Sequence, residues 1–297
     1  MLSEIERTEV IAAARRGAHD YYLSALLAPA QSRDDLLVLA AFEGELRRIV
    51  ETVGDPILAE IRLQWWRDTV AAIADTQHSG HPVADALARL VMAGHVSAAS
   101  LQGSIDARSA DTGTEPIASD TDLDSYIDRT DGAALARALA VVSAITPAPE
   151  PCPASEPASE MTLVQAAGRC VGRTRILLDL PRQRATGRAL RLPGLAIQAT
   201  TASDGLEGGA GVAAQSDRLA AQCRKYANQA QTYLGTVRRG WAELPRRHRA
   251  ALGPVALVGP YLQGLQRLGC LEPHPGGVIA PVSRMARLWW AVRFARL

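Results

Sequence analysis

Almost from end to end, the apolar residues of this chain return at helical spacing, and no alternating apolar–polar run lasts more than a few residues. A repeat near 3.6 residues buries one stripe of a helix, whereas a half-buried strand needs a repeat of two. The chain is therefore restricted to packed helices, and the expected fold class is all-α. "RTEVIAAARRGAHDYYLSALL" predicts a first helical region ended by Pro29. "SRDDLLVLAAFEGELRRIVETVG" predicts a second, with Ser32 as N-cap and Gly54 as stop. "DPILAEIRLQWWRDTVAAIAD" opens with Asp55 as cap and Pro56 at the first helical position; in it Trp65 is expected in the core and Trp66 partly exposed. "HPVADALARLVMAG", "VSAASLQGSIDARSA", "DTDLDSYIDRTDGAALARALAVVSAI", "MTLVQAAGRCVGRTRILLDL" and "SDRLAAQCRKYANQAQTYLGTVRRGWAEL" follow, and shorter helices close the sequence. Two segments interrupt this text: 146–160, rich in Pro, Ser and Glu, and 200–216, rich in Gly and Ala. Both read as long loops within one domain spanning 1–297, because neither side of either looks self-sufficient.

Composition narrows the function classes. Nearly half the 297 residues are apolar, the net charge is +1, and the basic residues are interspersed with acids, so nothing global points to nucleic acid. Lys225 is the single lysine among 32 basic residues. Cys152, Cys170, Cys223 and Cys270 are scattered without a metal-ligand spacing, which suits a reduced cytoplasmic setting. The opening "MLSEIERTEV" has no apolar run of a secretory signal, and no stretch of about 18 apolar residues predicts a membrane span. The six histidines form no HExxH pair; "HSGH" (78–81) has no carboxylate or cysteine partner and reads as a loop. There is no GxSxG elbow, P-loop or strand-led GxGxxG, and "GLEGGAG" reads as a flexible loop.

One double charge stands out. In "AAFEGELRRIVET", Arg47 and Arg48 sit inside an otherwise apolar helix. At 100° per residue, Leu39, Phe42, Leu46, Ile49, Val50 and Val53 form its core stripe. Beside it run Ala40, Gly44, Arg47 and Glu51. Residues Gly168, Gly172, Arg175 and Asp179 repeat the same spacing of small, small, Arg, acid. Small residues permit close approach, and an Arg one turn from an acid can pair with it. Two such stripes make either ordinary interhelical salt-bridge faces or the two walls of a shared polar cavity.

The stretches that carry these stripes resemble the squalene/phytoene synthase family. "HDYYLSALLAPAQSRDDLLVLAAFEGELRRIVETVGDP" is similar to the family's opening region and its first aspartate-rich signature. "IRLQWWRDTVAAI", "SIDARSAD" and "LDSYIDRTDGA" resemble the segments that follow. "AAGRCVGRTRILLDLPRQRATGRALRLP" resembles the second signature, and the pieces run in order over about residues 18–270. The resemblance implies a helical bundle around a central cavity, in which aspartates on two facing helices hold Mg²⁺ ions that grip prenyl diphosphates during head-to-head condensation.

The departures fall on the residues that matter. Arg47 and Arg48 stand at the two leading aspartates of the first signature, leaving Glu51, and Gly44 stands at its arginine. In the second, Gly172 replaces the glutamine, Arg175 the asparagine and Gln183 the last aspartate, while Asp179 survives and Arg182 stands where an acid often lies. Two like charges about 4 Å apart repel by about 4 kcal/mol at an effective dielectric near 20, so a divalent cation is disfavoured there. The expectation is no metal site and a cationic cavity able to hold an anion, with Arg47, Arg48, Gly44, Gly172, Arg175, Asp179, Arg182, Gln183, Arg188 and Tyr22 as its candidate residues. The arginines from 173 to 191 serve either that cavity or a solvated helix end.

"SALLAPAQSR", "LLVLAAFEGEL", "IRLQWWRDTV" and "LGPVALVGPYLQGLQR" further resemble a degenerate branch of the family, the assembly factors of respiratory complex I. That likeness implies a non-catalytic helper at the inner face of the cytoplasmic membrane, partnered by complex I subunits or another membrane complex, with an isoprenoid or phospholipid in the old cavity. Two alternatives stay open: an active prenyltransferase using Mg²⁺ with Glu51, Asp179, Asp128 and Asp131, and a metal-free isoprenoid or lipid binder. The closing "RMARLWWAVRFARL" mixes aromatic rings with arginines, which suits either a lipid–water interface or a helix docked on the core.

Overall fold

The computed structural model describes residues 2–52, 55–74, 78–113, 117–144, 157–185, 192–193, 209–272 and 277–297, with residues 74, 157–161 and 209–216 as backbone only. Among the described residues there is no strand. The helices are α1 (Glu4–Gly17), α2 (His19–Leu26), α3 (Ala30–Thr52), α4 (Pro56–Ala71), α5 (Pro82–Met92), α6 (Ala98–Ser109), α7 (Asp120–Ile127), α8 (Ala133–Ala144), α9 (Pro157–Ala185), α10 (Gly209–Trp241), α11 (Arg246–Ala251), α12 (Val255–Leu268) and α13 (Pro281–Phe294). A five-residue π-helical turn, Asp128–Gly132, joins α7 to α8.

Local chemistry sets most of these limits. Ser3 and Glu6 form a reciprocal capping box on α1. Asp55 caps α4 ahead of Pro56, as its sequence predicts. His81, Ser97 and Ser119 cap α5, α6 and α7 through their side chains. Several boundaries differ from the sequence reading. The first helical region breaks at Ala18 into α1 and α2. Ser32 is not a cap: α3 already begins at Ala30, and the buried Ser32 hydroxyl donates to the Pro29 carbonyl. The segment 120–144 is interrupted by the π turn. Helix α9 starts within the expected loop 146–160, and α10 within 200–216, at the glycines read as a loop; the rest of both segments lies outside the described residues. The Gly54 stop also lies outside them.

One core runs through the bundle, with Phe42 and Leu46 of α3, Leu63 of α4, Ile105 of α6, Leu135 of α8, Leu180 of α9 and Tyr226 of α10 fully enclosed. Helix α3 lies at its centre, packed by α1, α2, α5 and α8, while α9 lies along α10 and against the π turn. The tryptophan assignment is reversed: Trp66 is buried edge-on to Phe42, and Trp65 is exposed. Solvent faces Trp65 because α4 turns Leu63, Trp66 and Val70 inward, the i, i+3, i+7 spacing of one helix face. Val50 is only half-buried, near the end of α3. The fold also joins two cysteines that look scattered in sequence. Cys223 of α10 and Cys270, just beyond α12, are free thiols hydrogen-bonded to one another; that contact pushes the Cys223 thiol up and the Cys270 thiol down.

Candidate functional site

The centre of the molecule is organised by one carboxylate. Asp131 sits in the π turn between α7 and α8 and is fully buried. The wider turn lets Thr130 donate to the Tyr126 carbonyl at 2.8 Å and turns Asp131 towards the gap between α3 and α9. From α3, Arg47 Nη2 donates to Asp131 Oδ1 at 3.0 Å. From α9, Arg175 donates through Nε to both Asp131 oxygens at 3.1 and 3.0 Å, with Nη2 2.9 Å from Oδ2. Burial alone would raise the Asp131 carboxyl, but the charges of Arg175, Arg47 and Arg108 outweigh it and hold it below its ordinary range.

The pairing continues outward. Arg175 Nη1 lies 3.6 Å from Asp179, Asp179 lies 3.4 Å from Arg182, and Arg182 reaches across to Glu51 on α3 at 3.0 Å. Arg47, Asp131, Arg175, Asp179, Arg182 and Glu51 thus alternate in sign from interior to surface. Arg47, Arg175 and Arg182, expected to line a cationic cavity, are thus each ion-paired along this chain. Arg47 does not pair with Glu51 on its own helix, because Asp131 lies closer on the buried side.

A second buried network supports the first, and sequence reasoning missed it. Glu43 of α3 is buried with Arg137 Nη2 at 2.6 Å and Arg108 Nη2 at 3.7 Å. Arg108 also donates to Tyr126 at 3.0 Å and to Asp111 at 3.3 Å, and Tyr126 donates to Asp111 at 3.0 Å. The Tyr126 hydroxyl lies 3.5 Å from Arg175, which joins the two networks. The available signal was Glu43 itself, a charge placed between Phe42 and Leu46 on a buried face.

The remaining candidates are dispersed. Gly44 serves helix packing: a Cβ there would lie 2.9 Å from the Ala13 carbonyl oxygen and 3.3 Å from Gly17 Cα, so α1 approaches α3 through the two glycines. Gly172 admits Ile127 Cγ2 to within 2.5 Å of where a Cβ would lie, so it seats the end of α7. Close backbone approach accounts for Gly44, whereas Gly172 also borders the site, since a Cβ there would lie 3.3 Å from Asp131 Oδ2. Tyr22 leaves the cavity list; its neighbour Tyr21 reaches the cavity, with Arg47 stacked 5.1 Å from its ring centre. Arg48 is half-buried, with no ion pair among the described residues. Asp128 faces away and is held by Arg169 at 2.8 Å and Gln165 at 3.1 Å. Arg173 is buried against Asp124 and Gln229, Gln183 is half-buried, and Arg184 is exposed. Arg188 and Arg191 lie outside the described residues.

Among the described residues, a cavity beside this site measures about 160 Å³. Tyr21, Arg47, Asp131 and Arg175 form one wall, and Tyr261 and Arg284 the other. On that side the Tyr261 hydroxyl donates to Asp20 at 2.9 Å, and Arg284 lies 3.5 Å from it. Burial raises the Asp20 carboxyl, against the opposing pull of Arg284 and the Tyr261 hydrogen bond.

These residues do not fit a magnesium ion. Mg²⁺ needs oxygen ligands and keeps several waters. Glu51 and Asp179 are engaged by Arg182 and Arg175, and Asp131 by two guanidinium groups. Among the described residues no three acidic, histidine or cysteine side chains converge as a metal site.

A family model described as squalene/phytoene synthase matches residues 14–278 of this chain. The chain belongs to the squalene/phytoene synthase family. Its fold is shared with solved members: a dehydrosqualene synthase in complex with ligand superposes with a TM-score of 0.73 at 16% identity, over 98% of this chain and 96% of that one. Squalene synthase HpnC from Alicyclobacillus acidocaldarius superposes at 0.66 and 15% identity, over 91% and 95%. Among curated proteins, "NADH dehydrogenase (ubiquinone) complex I, assembly factor 6" from Bos taurus is 28% identical over 127 residues, and that from Homo sapiens 27%. Each match covers 43% of this chain and 38% of the relative. This family member thus keeps the isoprenoid synthase fold.

Proposed function

We propose that this chain is a non-catalytic member of the family that assists assembly of a respiratory NADH dehydrogenase at the membrane. The observation that carries the reading is the alternating ion-pair chain from Arg47 to Glu51, which engages the acids left at the motif positions. The pocket beside these ion pairs, at about 160 Å³, is below the roughly 300–1,000 Å³ of ordinary ligand pockets. The curated relatives supply the assembly role: they are named as complex I assembly factors, and the likeness extends to this chain over 127 residues.

The reading places the protein against the inner face of the cytoplasmic membrane. No described helix is long and apolar enough to cross a bilayer, so contact would be peripheral. The test is deletion of the gene, scored for assembled membrane NADH dehydrogenase and for isoprenoid content. Loss of assembled enzyme with unchanged isoprenoids is expected. The prenyltransferase alternative is tested by incubating purified protein with farnesyl or geranylgeranyl diphosphate and Mg²⁺. Pyrophosphate release abolished by Asp179→Ala would overturn the non-catalytic reading.

A further inference from the structure

The near-neutral total conceals a division of charge. Residues 1–217 carry 19 basic side chains against 29 acids, whereas residues 218–297 carry 13 against two, Glu243 and Glu272. Such asymmetry within one chain points to an anionic partner for the basic part. The structure shows where much of the excess emerges. Arg238 and Arg239 at the end of α10, Arg246 at the start of α11, and Arg287, Arg293 and Arg296 in and after α13 are all exposed.

Helix α13 adds a second feature. Leu288, Ala291 and Val292 anchor it to the bundle, and Arg249 fastens its end by donating to the Val292 carbonyl at 3.2 Å. Its outer side carries Trp289, Trp290 and Phe294, which are 46%, 48% and 43% exposed. The three rings contact one another at centroid separations of 4.4 to 6.3 Å, so they form one apolar patch. Beside it, a groove of about 570 Å³ runs between α10, α12 and α13. Its floor is apolar, with Leu234, Val255 and Pro260, and its rim carries Arg238, Arg287 and Arg296. Among the described residues no acidic side chain lines it.

We propose that this face docks on the surface of a bilayer rich in anionic phospholipid, with the arginines at the phosphate level and the three rings at the headgroup–acyl boundary. The proposal deepens the peripheral membrane placement above and rests on it, but not on the assembly role. Charge complementarity selects an anionic partner. The ring patch selects lipid over nucleic acid or an acidic protein: indole and phenyl groups fixed to one rigid helix beside arginines match the layered polarity of a bilayer edge. Guanidinium groups suit phosphodiester headgroups for the same reason they suit any phosphate.

The test is co-flotation of the full chain with vesicles of phosphatidylcholine alone and of phosphatidylcholine with about one-third phosphatidylglycerol, at low and at physiological salt. Binding to the anionic vesicles only, weakened by salt, is expected. The triple reversal Arg287→Glu/Arg293→Glu/Arg296→Glu should weaken partitioning at least about tenfold, since each basic group near such a surface contributes about 1 kcal/mol. Trp289→Ala/Trp290→Ala/Phe294→Ala should weaken it several-fold and raise its salt sensitivity. Arg15→Glu/Arg16→Glu on α1, a helix that packs on α2, α3 and α5, should leave it nearly unchanged, and the circular dichroism of all variants should match the parent. No binding at low salt, equal binding to neutral vesicles, equal loss with the α1 variant, or capture of nucleic acid or an acidic protein in preference to vesicles would overturn the proposal. A vesicle failure alongside normal rescue of the deletion strain would remove the docking face and leave the assembly role standing.

Discussion

Arginine dominates two regions of this molecule and means something different in each. Between α3 and α9, Arg47 and Arg175 converge on buried Asp131, and the acids of both helices complete a neutral chain. On and just after α13, Arg287, Arg293 and Arg296 face solvent beside three aromatic rings, with no acid on the helix. A buried guanidinium must be matched, because taking an unpaired charge out of water costs several kcal/mol. An exposed one stays hydrated and is free to seek a partner elsewhere. The same residue type therefore closes the interior and opens the surface.

The sharpest way to break this comparison is Asp131→Ala. It would strand two guanidinium groups in the interior and should destabilise the fold by about 3–5 kcal/mol in chemical denaturation. A cost near that of a surface substitution would show that the central arginines are not paired as described. Next in size, Leu288→Ala should cost about 2–4 kcal/mol by leaving a cavity under α13, whereas Trp289→Ala should cost less than about 1 kcal/mol. Equal costs would mean that the outer rings are part of the core.

Restoring the motif acids sharpens the contrast from the other side. Arg47→Asp/Arg48→Asp/Arg175→Asn should lower stability without metal but gain from Mg²⁺, by about 2.7 kcal/mol at a hundredfold excess over the dissociation constant. The parent protein should show no Mg²⁺-dependent change in Tm. Acid titration probes Asp131 directly. Its carboxyl is depressed in the fold, so its contribution is complete above the ordinary value of 3.8 and is lost as pH falls through its own lower value. Denaturation midpoints should therefore fall as pH drops below that ordinary value, and less steeply in Asp131→Asn. The smallest effect is expected at the outer end of the chain: Arg182 is 42% exposed, and Arg182→Ala should cost at most about 0.5 kcal/mol after solvent screening.

The helical class was legible from periodicity, and so were the Asp55–Pro56 start of α4 and the family's order of motifs. The two stripes that place Arg47 and Arg175 each one turn from an acid were equally legible, since they need only position along a helix. The charge imbalance beyond residue 217 was readable too, although the near-zero total hid it.

Only the tertiary structure decided what those arginines do. Asp131 lies 84 residues from Arg47 and 44 from Arg175, and no helical spacing relates them. A π turn aims the carboxylate, and Gly17, Gly44 and Gly172 let α1, α3, α7 and α9 approach closely enough to enclose it. Sequence sets which charges a helix carries and on which side, because that follows from 100° per residue. Which opposite charge each one meets depends on how the helices cross, and that is fixed by packing summed over the whole bundle.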